Sequence, residues 1–313
     1  MQAVLDVVLP VFGIVLAGFL VGRSGLLGAG SSEALNRFVF YCALPALFFI
    51  SMSRLDASSA DAMGPFLIAW GGGLAAVFTL AVGFAALFFR QRPGALGLHG
   101  LSAIFSNTGY MGIPLVIMAL GEDGALPAIV ATVANGALVM GVGTMILEAD
   151  LSRGTHPLRI ARNVVTGVIK SPLLLSAAAG LVVAILDLPV PAALERFCDL
   201  LAAAVAPCAL FAMGLFMVGR SVTRGAVETS WITVIKLGVH PLVTWWLAFR
   251  VLDVDPLWAN AALILAALPT GALVFVLAQQ YEIYVQRSTA AILISTIVSV
   301  LTLSLLFAYM GYG

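Results

Sequence analysis

The sequence predicts an all-α membrane protein with ten transmembrane helices, arranged as an inverted 5+5 repeat in which helices 4 and 9 are broken and cross. Three observations predict this fold class. Hydrophobic residues make up 62% of the 313-residue chain and charged residues only 10%, whereas an average soluble domain is about 45–50% apolar and about 25% charged. Apolar runs of about 20 residues, long enough to cross a hydrocarbon core of about 30 Å, recur along the chain. Glycine and proline interrupt two of these runs near their middles.

The apolar runs divide the chain into predicted spans that are separated by short polar connections. The first run is interpreted as a span and not as a cleaved signal peptide, because no basic segment precedes it and Arg23 follows it. In order, the predicted spans are 3–22, 34–53, 64–89, 95–120, 124–148, 166–187, 198–219, 227–251, 257–281 and 287–311.

Arginine is concentrated in the connections after spans 1, 3, 5, 7 and 9, as at Arg23 and Arg220. The positive-inside rule places these connections in the cytoplasm, so that both termini face outward. The longest connection, 151–165, is a predicted cytoplasmic linker between five spans in 1–150 and five in 166–313. Since five is odd, the second half enters the membrane with the opposite polarity, as an inverted repeat requires. We expect a multi-pass protein of the cell inner membrane.

Composition and motif content exclude several functional classes. The 15 basic and 15 acidic residues balance, which gives no reason to expect a nucleic-acid partner. Cys42, Cys198 and Cys208 lie in or beside apolar runs without metal-like spacing, so we expect no metal and no cofactor. The chain contains no His-Glu-x-x-His or Gly-x-Ser-x-Gly motif, so we expect no enzyme. Every acidic residue lies near a span end or in a connection, whereas a cation exchanger needs carboxylates at mid-membrane; a neutral or anionic solute fits better.

The two interrupted runs are the predicted binding site. Span 4 contains Asn107, Thr108 and then Gly109, Gly112 and Pro114 within six residues. Proline removes an amide donor and glycine adds backbone freedom, so each helix is expected to split into two half-helices. Paired interruptions in the two halves of a membrane protein indicate a transporter's site, and inward helix N-termini favour an anion.

Span 9 carries the matching interruption, in which Pro269 and Gly271 bracket Thr270. Asn107, Thr108 and Thr270 are expected to add side-chain hydrogen bonds to the anion. The alternative for these prolines and glycines is a kink without function, since both residues are common in membrane helices.

Three polar residues elsewhere in the spans have two interpretations each. Lys236 is either a cation near an anionic substrate, or an amine that reaches the cytoplasm or binds carbonyls freed by the span 9 break. His240 is either a proton carrier or a hydrogen-bonded structural residue. Asn135 either reaches the span 4 break or joins two helices.

Both interruptions resemble those of the auxin efflux carrier family, which includes bacterial carboxylate permeases and plant PIN exporters. The stretch from Asn107 to Leu115, followed by Gly121-Glu122, is similar to the fourth span of that family. The stretch from Ala267 to Gly271, continued by Phe275-Val276, Ala278 and Tyr281, is similar to its ninth span.

This resemblance implies a secondary active transporter of small organic anions, such as malate, malonate or auxin-like weak acids, that works by elevator-like or rocking alternation. It also implies a homodimer, a scaffold of spans 1, 2, 6 and 7, and a transport domain of spans 3–5 and 8–10. Protons are a candidate coupling ion. An anion channel or a membrane receptor on the same scaffold is the alternative. The candidate substrate-binding residues are Asn107, Thr108, Gly109, Tyr110, Pro114, Asn135, Lys236, His240, Pro269, Thr270 and Gly271.

Overall fold

The computed structural model is helical through nearly all of the residues that it describes, which are 9–54, 57–89, 91–151, 162, 166, 170–220 and 225–311. The start of predicted span 1 and nearly all of the predicted linker 151–165 lie outside these residues. The α-helices are α1 Leu9–Arg23, α2 Ala29–Phe38, α3 Leu44–Ser53, α4 Ala57–Phe88, α5 Pro93–Ile104, α6 Ile113–Leu120, α7 Ala125–Leu151, α8 Pro172–Ile185, α9 Ala192–Ala203, α10 Val205–Met217, α11 Ala226–Val234, α12 His240–Trp246, α13 Pro256–Ala266, α14 Leu273–Gln280 and α15 Val285–Tyr309.

Several of these helices join end to end into longer rods. Five-residue π-helical turns connect α2 to α3 and α11 to α12, and another π turn precedes α6. Among the described residues, six helical stretches are long and apolar enough to cross a membrane: Gly30–Ser53, Asp61–Phe88, Glu122–Leu151, Ala192–Met217, Ala226–Val251 and Val285–Tyr309. Shorter apolar helices lie within predicted spans 1, 4, 6 and 9. The fold class of an all-α membrane protein is therefore confirmed, while the count of ten spans stays a prediction.

Local sequence explains where helices begin and end. Asp255 caps α13 by accepting hydrogen bonds from the amides of Leu257 and Trp258 at 3.0 and 3.3 Å, and Pro256 occupies the first turn, where its missing N–H costs nothing. Gly121 ends α6 with φ of +80°, a conformation that favours glycine.

Glycine sets the two most extensive helix contacts of the described residues, α1 with α10 and α3 with α8. A Cβ atom on Gly214 of α10 would collide with the carbonyl oxygen of Val15, and one on Gly18 of α1 would collide with that of Phe211. A Cβ atom on Gly180 of α8 would likewise collide with the carbonyl oxygen of Phe49. These pairs bring backbones into direct contact, as small residues do in membrane helices.

The outward surface is apolar. Leu87, Leu200 and Val227 are each at least 77% exposed, which suits helices that face lipid hydrocarbon rather than water. Polar side chains of the spans instead lie inside, among them Asn135, Lys236 and His240 with no exposed surface.

We expect Gly214→Ala to lower the free energy of unfolding by about 1–3 kcal/mol or more, because the added methyl group forces α1 and α10 apart. Gly13→Ala is the matched control, since a Cβ there meets nothing within 4 Å. Thermal unfolding of the purified variants measures the difference. Equal unfolding midpoints for the two variants would contradict the close packing of α1 on α10.

Candidate functional site

Each of the two interrupted runs is a pair of short helices joined by extended backbone. In the first, α5 ends at Ile104 and helical hydrogen bonding resumes in the π turn Thr108–Gly112. In the second, α13 ends at Ala266 and α14 begins at Leu273. The first break ends before Pro114, which the sequence had placed within it. Pro114 instead lies in the first turn of α6, where a proline is tolerated.

The two breaks are hydrogen-bonded to each other. The amide of Asn107 donates to the carbonyl of Pro269 at 2.9 Å, and the amide of Gly271 donates to the carbonyl of Phe105 at 2.9 Å. Ser106 and Thr270 thereby form an isolated antiparallel β-bridge. Each break satisfies backbone groups that the other has freed, which is how non-helical backbone survives at membrane depth.

The side chain of Thr270 and side chains from two helices, α7 and α15, hold this bridge in place. Thr270 donates from Oγ1 to the Ser102 carbonyl at 2.8 Å, and its amide donates to Oγ of Ser295 on α15 at 3.0 Å. Asn135 on α7 donates from Nδ2 to the Ser106 carbonyl at 3.1 Å. Asn135 therefore contacts the first break, which was one of its two interpretations. Ser295 was missed, since a lone serine in an apolar span carries no sequence signal.

Two glycines permit the close approach. A Cβ atom on Gly271 would lie 2.7 Å from the Phe105 ring, and one on Gly112 would lie 2.7 Å from side-chain carbons of Leu265 and Leu268. A larger residue at either position would require these side chains to move, and at position 271 it would also lie 3.1 Å from the Cα atom of Asn107.

The side chain of Asn107 has a poor hydrogen-bond partner at the bridge. Its backbone carbonyl accepts from the amides of Met111 and Gly112 at 3.2 and 2.9 Å, but among the described residues its Nδ2 donates only to the sulfur of Met213 on α10, at 3.3 Å. A thioether is a weak acceptor. Beside it, Ser106 Oγ and Asn135 Oδ1 are buried and have no hydrogen-bond partner among the described residues.

Lys236 and His240 lie behind the second break. The Lys236 amine donates to the carbonyl of Ala266 at 2.7 Å and lies 3.1 Å from Nδ1 of His240. Ala266 is the last residue of α13, so the Lys236 amine lies at the negative end of that helix. Lys236 therefore binds a carbonyl at the second break, which was one of the interpretations of this residue.

The remaining predicted residues surround the bridge. Thr108 is buried and its amide donates to the Ser106 carbonyl at 2.8 Å. Pro269 and Pro114 are buried, whereas Gly109 and Tyr110 are half-buried.

A second polar cluster, which sequence reasoning missed, lies at the other end of α5. Glu228, in the first turn of α11, is only 4% exposed. It accepts hydrogen bonds from Gln91 at 2.8 and 2.9 Å, from Nδ1 of His99 at 2.9 Å, and from the hydroxyl of Tyr284. Burial, followed by the neighbouring carboxylate of Glu228, raises the pKa of Tyr284. The sequence placed Glu228 near a span end, and its spacing gave no indication that it is buried.

Known proteins resemble this chain over nearly its whole length. A family model described as a membrane transport protein matches residues 3–307. A Rhizobium meliloti protein named "Putative malonate transporter" is 33% identical over 304 residues, which are 97% of this chain and 95% of that protein. A Methanothermobacter thermautotrophicus protein named as an uncharacterized transporter is 25% identical over 96% of both chains. A Mus musculus protein named lysosomal cholesterol signaling protein is 29% identical over 93% of this chain and 36% of its own length.

We expect Ser295→Ala to lower the free energy of unfolding by about 1–3 kcal/mol, because it leaves the buried amide of Thr270 without an acceptor. Ser304→Ala is the matched control on the same helix, since the Ser304 hydroxyl is exposed and bonds only its own helix backbone at Val300. Chemical or thermal unfolding of the two variants checks this difference, and a loss that is no larger at Ser295 would contradict a supporting role for that hydroxyl.

Proposed function

The chain belongs to the membrane transport protein family, that of the auxin efflux carriers, and we propose on that premise that it is a secondary active carrier of small organic anions. The family is one of transporters and not of enzymes. The single observation that carries the proposal is the hydrogen-bonded pair of breaks beside the side-chain amide of Asn107, whose Nδ2 donates to no described group but the sulfur of Met213.

The chemistry of the bridge favours a carboxylate. An anionic oxygen is a far better acceptor for Nδ2 of Asn107 than the thioether of Met213, so a substrate carboxylate gains by displacing the methionine. The helices that follow the two breaks begin at Thr108 and Leu273, and their first amides carry partial positive charge. Thr108, Gly109, Tyr110 and Gly271 are proposed to line the same site.

The proposed substrates are small carboxylates such as malonate or malate, with auxin-like weak acids as a further class. The name of the Rhizobium meliloti relative supports malonate as the first compound to test. Carrying one negative charge against a membrane potential of 100 mV costs about 2.3 kcal/mol, so a coupling ion such as a proton has a clear role.

We propose that spans 1–5 and 6–10 form inverted repeats, and that spans 4 and 9 cross at the bridge. The helix contacts support this: span 1 packs on span 7 through α1 and α10, and span 2 packs on span 6 through α3 and α8. If a two-fold axis relates span 1 to span 6 and span 2 to span 7, then contact of span 1 with span 7 requires a matching contact of span 6 with span 2. These four spans form the proposed scaffold, against which spans 3–5 and 8–10 move.

The proposed setting is the cell inner membrane, with both termini outside the cytoplasm and two copies paired through their scaffolds. A membrane receptor is the second candidate function, which the name of the mouse relative favours. Purified protein in liposomes distinguishes the candidates. A carrier gives saturable counterflow of labelled malonate, a channel gives conductance far above carrier turnover, and a receptor binds without flux.

We expect Asn107→Ala to weaken malonate binding and counterflow by about 10- to 150-fold, because a hydrogen bond to a charged group contributes about 1.5–3 kcal/mol. Asn260→Ala makes the same change on α13, away from the bridge, and should transport normally. Wild-type uptake by a folded Asn107→Ala protein would overturn the assignment of the site.

We expect Lys236→Met to weaken malonate binding about tenfold and to lower stability by less, because methionine removes the amine and its bond to the Ala266 carbonyl but keeps an unbranched chain in the buried space. Malonate titration and thermal unfolding on the same sample separate the two effects. Lys170→Met, at an exposed lysine, controls for loss of charge. A large loss of stability with unchanged binding would assign Lys236 a structural role instead.

A further inference from the structure

The polar cluster around Glu228 joins three spans at one buried carboxylate. His99 lies on α5, Glu228 on α11, and Tyr284 and Arg287 lie at the start of α15. Arg287 Nε is 3.3 Å from the carboxylate, and its side chain is 41% exposed. His99 is therefore fully buried within the cluster, whereas Arg287 is partly exposed at its edge.

The hydrogen bonds assign the position of one proton on His99. An ionised Glu228 carboxylate only accepts, and the hydroxyl of Tyr284 donates to it, so we assign the hydrogen of the 2.9 Å bond to Nδ1 of His99, which also lies 3.2 Å from the Tyr284 hydroxyl. Nε2 of the neutral ring is then a bare lone pair. That nitrogen is buried and has no partner among the described residues, and His99 has no exposed surface.

The sign of the neighbouring charge separates His99 from the other described histidine. A proton on His240 would lie beside an amine, that of Lys236 at 3.1 Å. A proton on His99 instead lies beside a carboxylate, that of Glu228 at 2.9 Å from Nδ1. Of these two buried rings, His99 is therefore the one with an acidic neighbour.

Other charged groups near α5 have partners of their own. They are Arg92, Glu148, Asp150 and Lys236. Arg92 and Asp150 lie 3.5 Å apart, Glu148 accepts from the hydroxyl of Tyr281 at 3.0 Å, and Lys236 donates to the Ala266 carbonyl. The positive charge of a protonated His99 is therefore balanced chiefly by Glu228. Arg287 contacts the other oxygen of the same carboxylate.

One rigid helix links this cluster to the bridge. His99 and Phe105 are six residues apart, which is about 9 Å along a helix axis. The same helix ends at the carbonyl that Gly271 binds, and its Ser102 carbonyl accepts from Thr270. A change of charge at His99 thus acts on the element that positions Asn107.

We propose that His99 and Glu228 form a proton-binding site, and that the proton taken up at Nε2 of His99 accompanies the organic anion during transport. This inference rests on the proposed function. In the step itself, which requires a conformation that admits water to the buried ring, a hydronium ion transfers one proton to the Nε2 lone pair and leaves water and an imidazolium. Transfer of that proton back to water on the opposite side of the membrane restores the neutral ring.

Histidine-labelled ¹⁵N NMR of the purified full-length protein tests the site without any substrate. We expect one histidine to gain a proton at Nε2 as the pH is lowered, while Nδ1 stays protonated. His99→Gln removes that signal, and Glu228→Gln lowers the proton affinity of His99 at least tenfold. A His99 ring that stays neutral in the wild-type protein down to pH 5 would overturn the proposal.

Proteoliposomes loaded with malonate, in sodium-free buffer, test the coupling. The wild-type protein should accumulate labelled malonate when a pH gradient is applied. His99→Gln should lose at least fivefold of this response but keep counterflow at equal pH, while His156→Gln, in the predicted linker, should respond as the wild type does. Wild-type flux that ignores the gradient, or a His99→Gln protein that follows it fully, would overturn the coupling. Absence of any malonate flux would reject the proposed function instead, and the NMR titration would still decide the proton site.

Discussion

The pair of backbone hydrogen bonds between the two breaks is the constraint on which the rest of the structure depends. A helix that unwinds inside a bilayer exposes amides and carbonyls where water is absent, and each unsatisfied group costs several kcal/mol. Here the carbonyls of Phe105 and Pro269 accept from the amides of Gly271 and Asn107. Pro269 contributes a carbonyl and has no amide to satisfy, which suits it to this position. Neither break is stable without the other, so two segments that are far apart in sequence form one unit.

Side chains of the neighbouring helices stabilise that unit by hydrogen bonding. Asn135, Ser295 and Lys236 come from three different spans, and each bonds a backbone group at or beside a break. What remains after this pairing is the side chain of Asn107, held against Met213 of the proposed scaffold. A polar group that packing leaves with a poor partner is a plausible place for a ligand to bind, since the ligand then supplies what the protein does not.

The sequence predicted the elements well and their partners poorly. Apolar run length located the helices, because hydrocarbon thickness sets the length of a span, and glycine with proline located both breaks, because they disturb helical hydrogen bonding locally. The antiparallel pairing of Ser106 with Thr270 depends on how α5 meets α13, and no periodicity within one span encodes that. Pro114 was assigned to the break itself although it begins a helix, since the first turn tolerates proline. Glu228 was counted among acids at span ends, and its burial follows only from the positions of His99 and Tyr284 on other spans.

The mutual satisfaction of the breaks has a consequence for biosynthesis. Residues 105–107 are made long before residues 267–272, and about 160 residues of chain separate the two segments. Until the later segment is synthesised, the amide of Asn107 and the carbonyl of Phe105 lack the partners they have in the finished protein. The first half therefore lacks these two hydrogen bonds until the ninth span has been made. Synthesis of the ninth span supplies both partners, so the order of translation sets the earliest point at which the bridge can form.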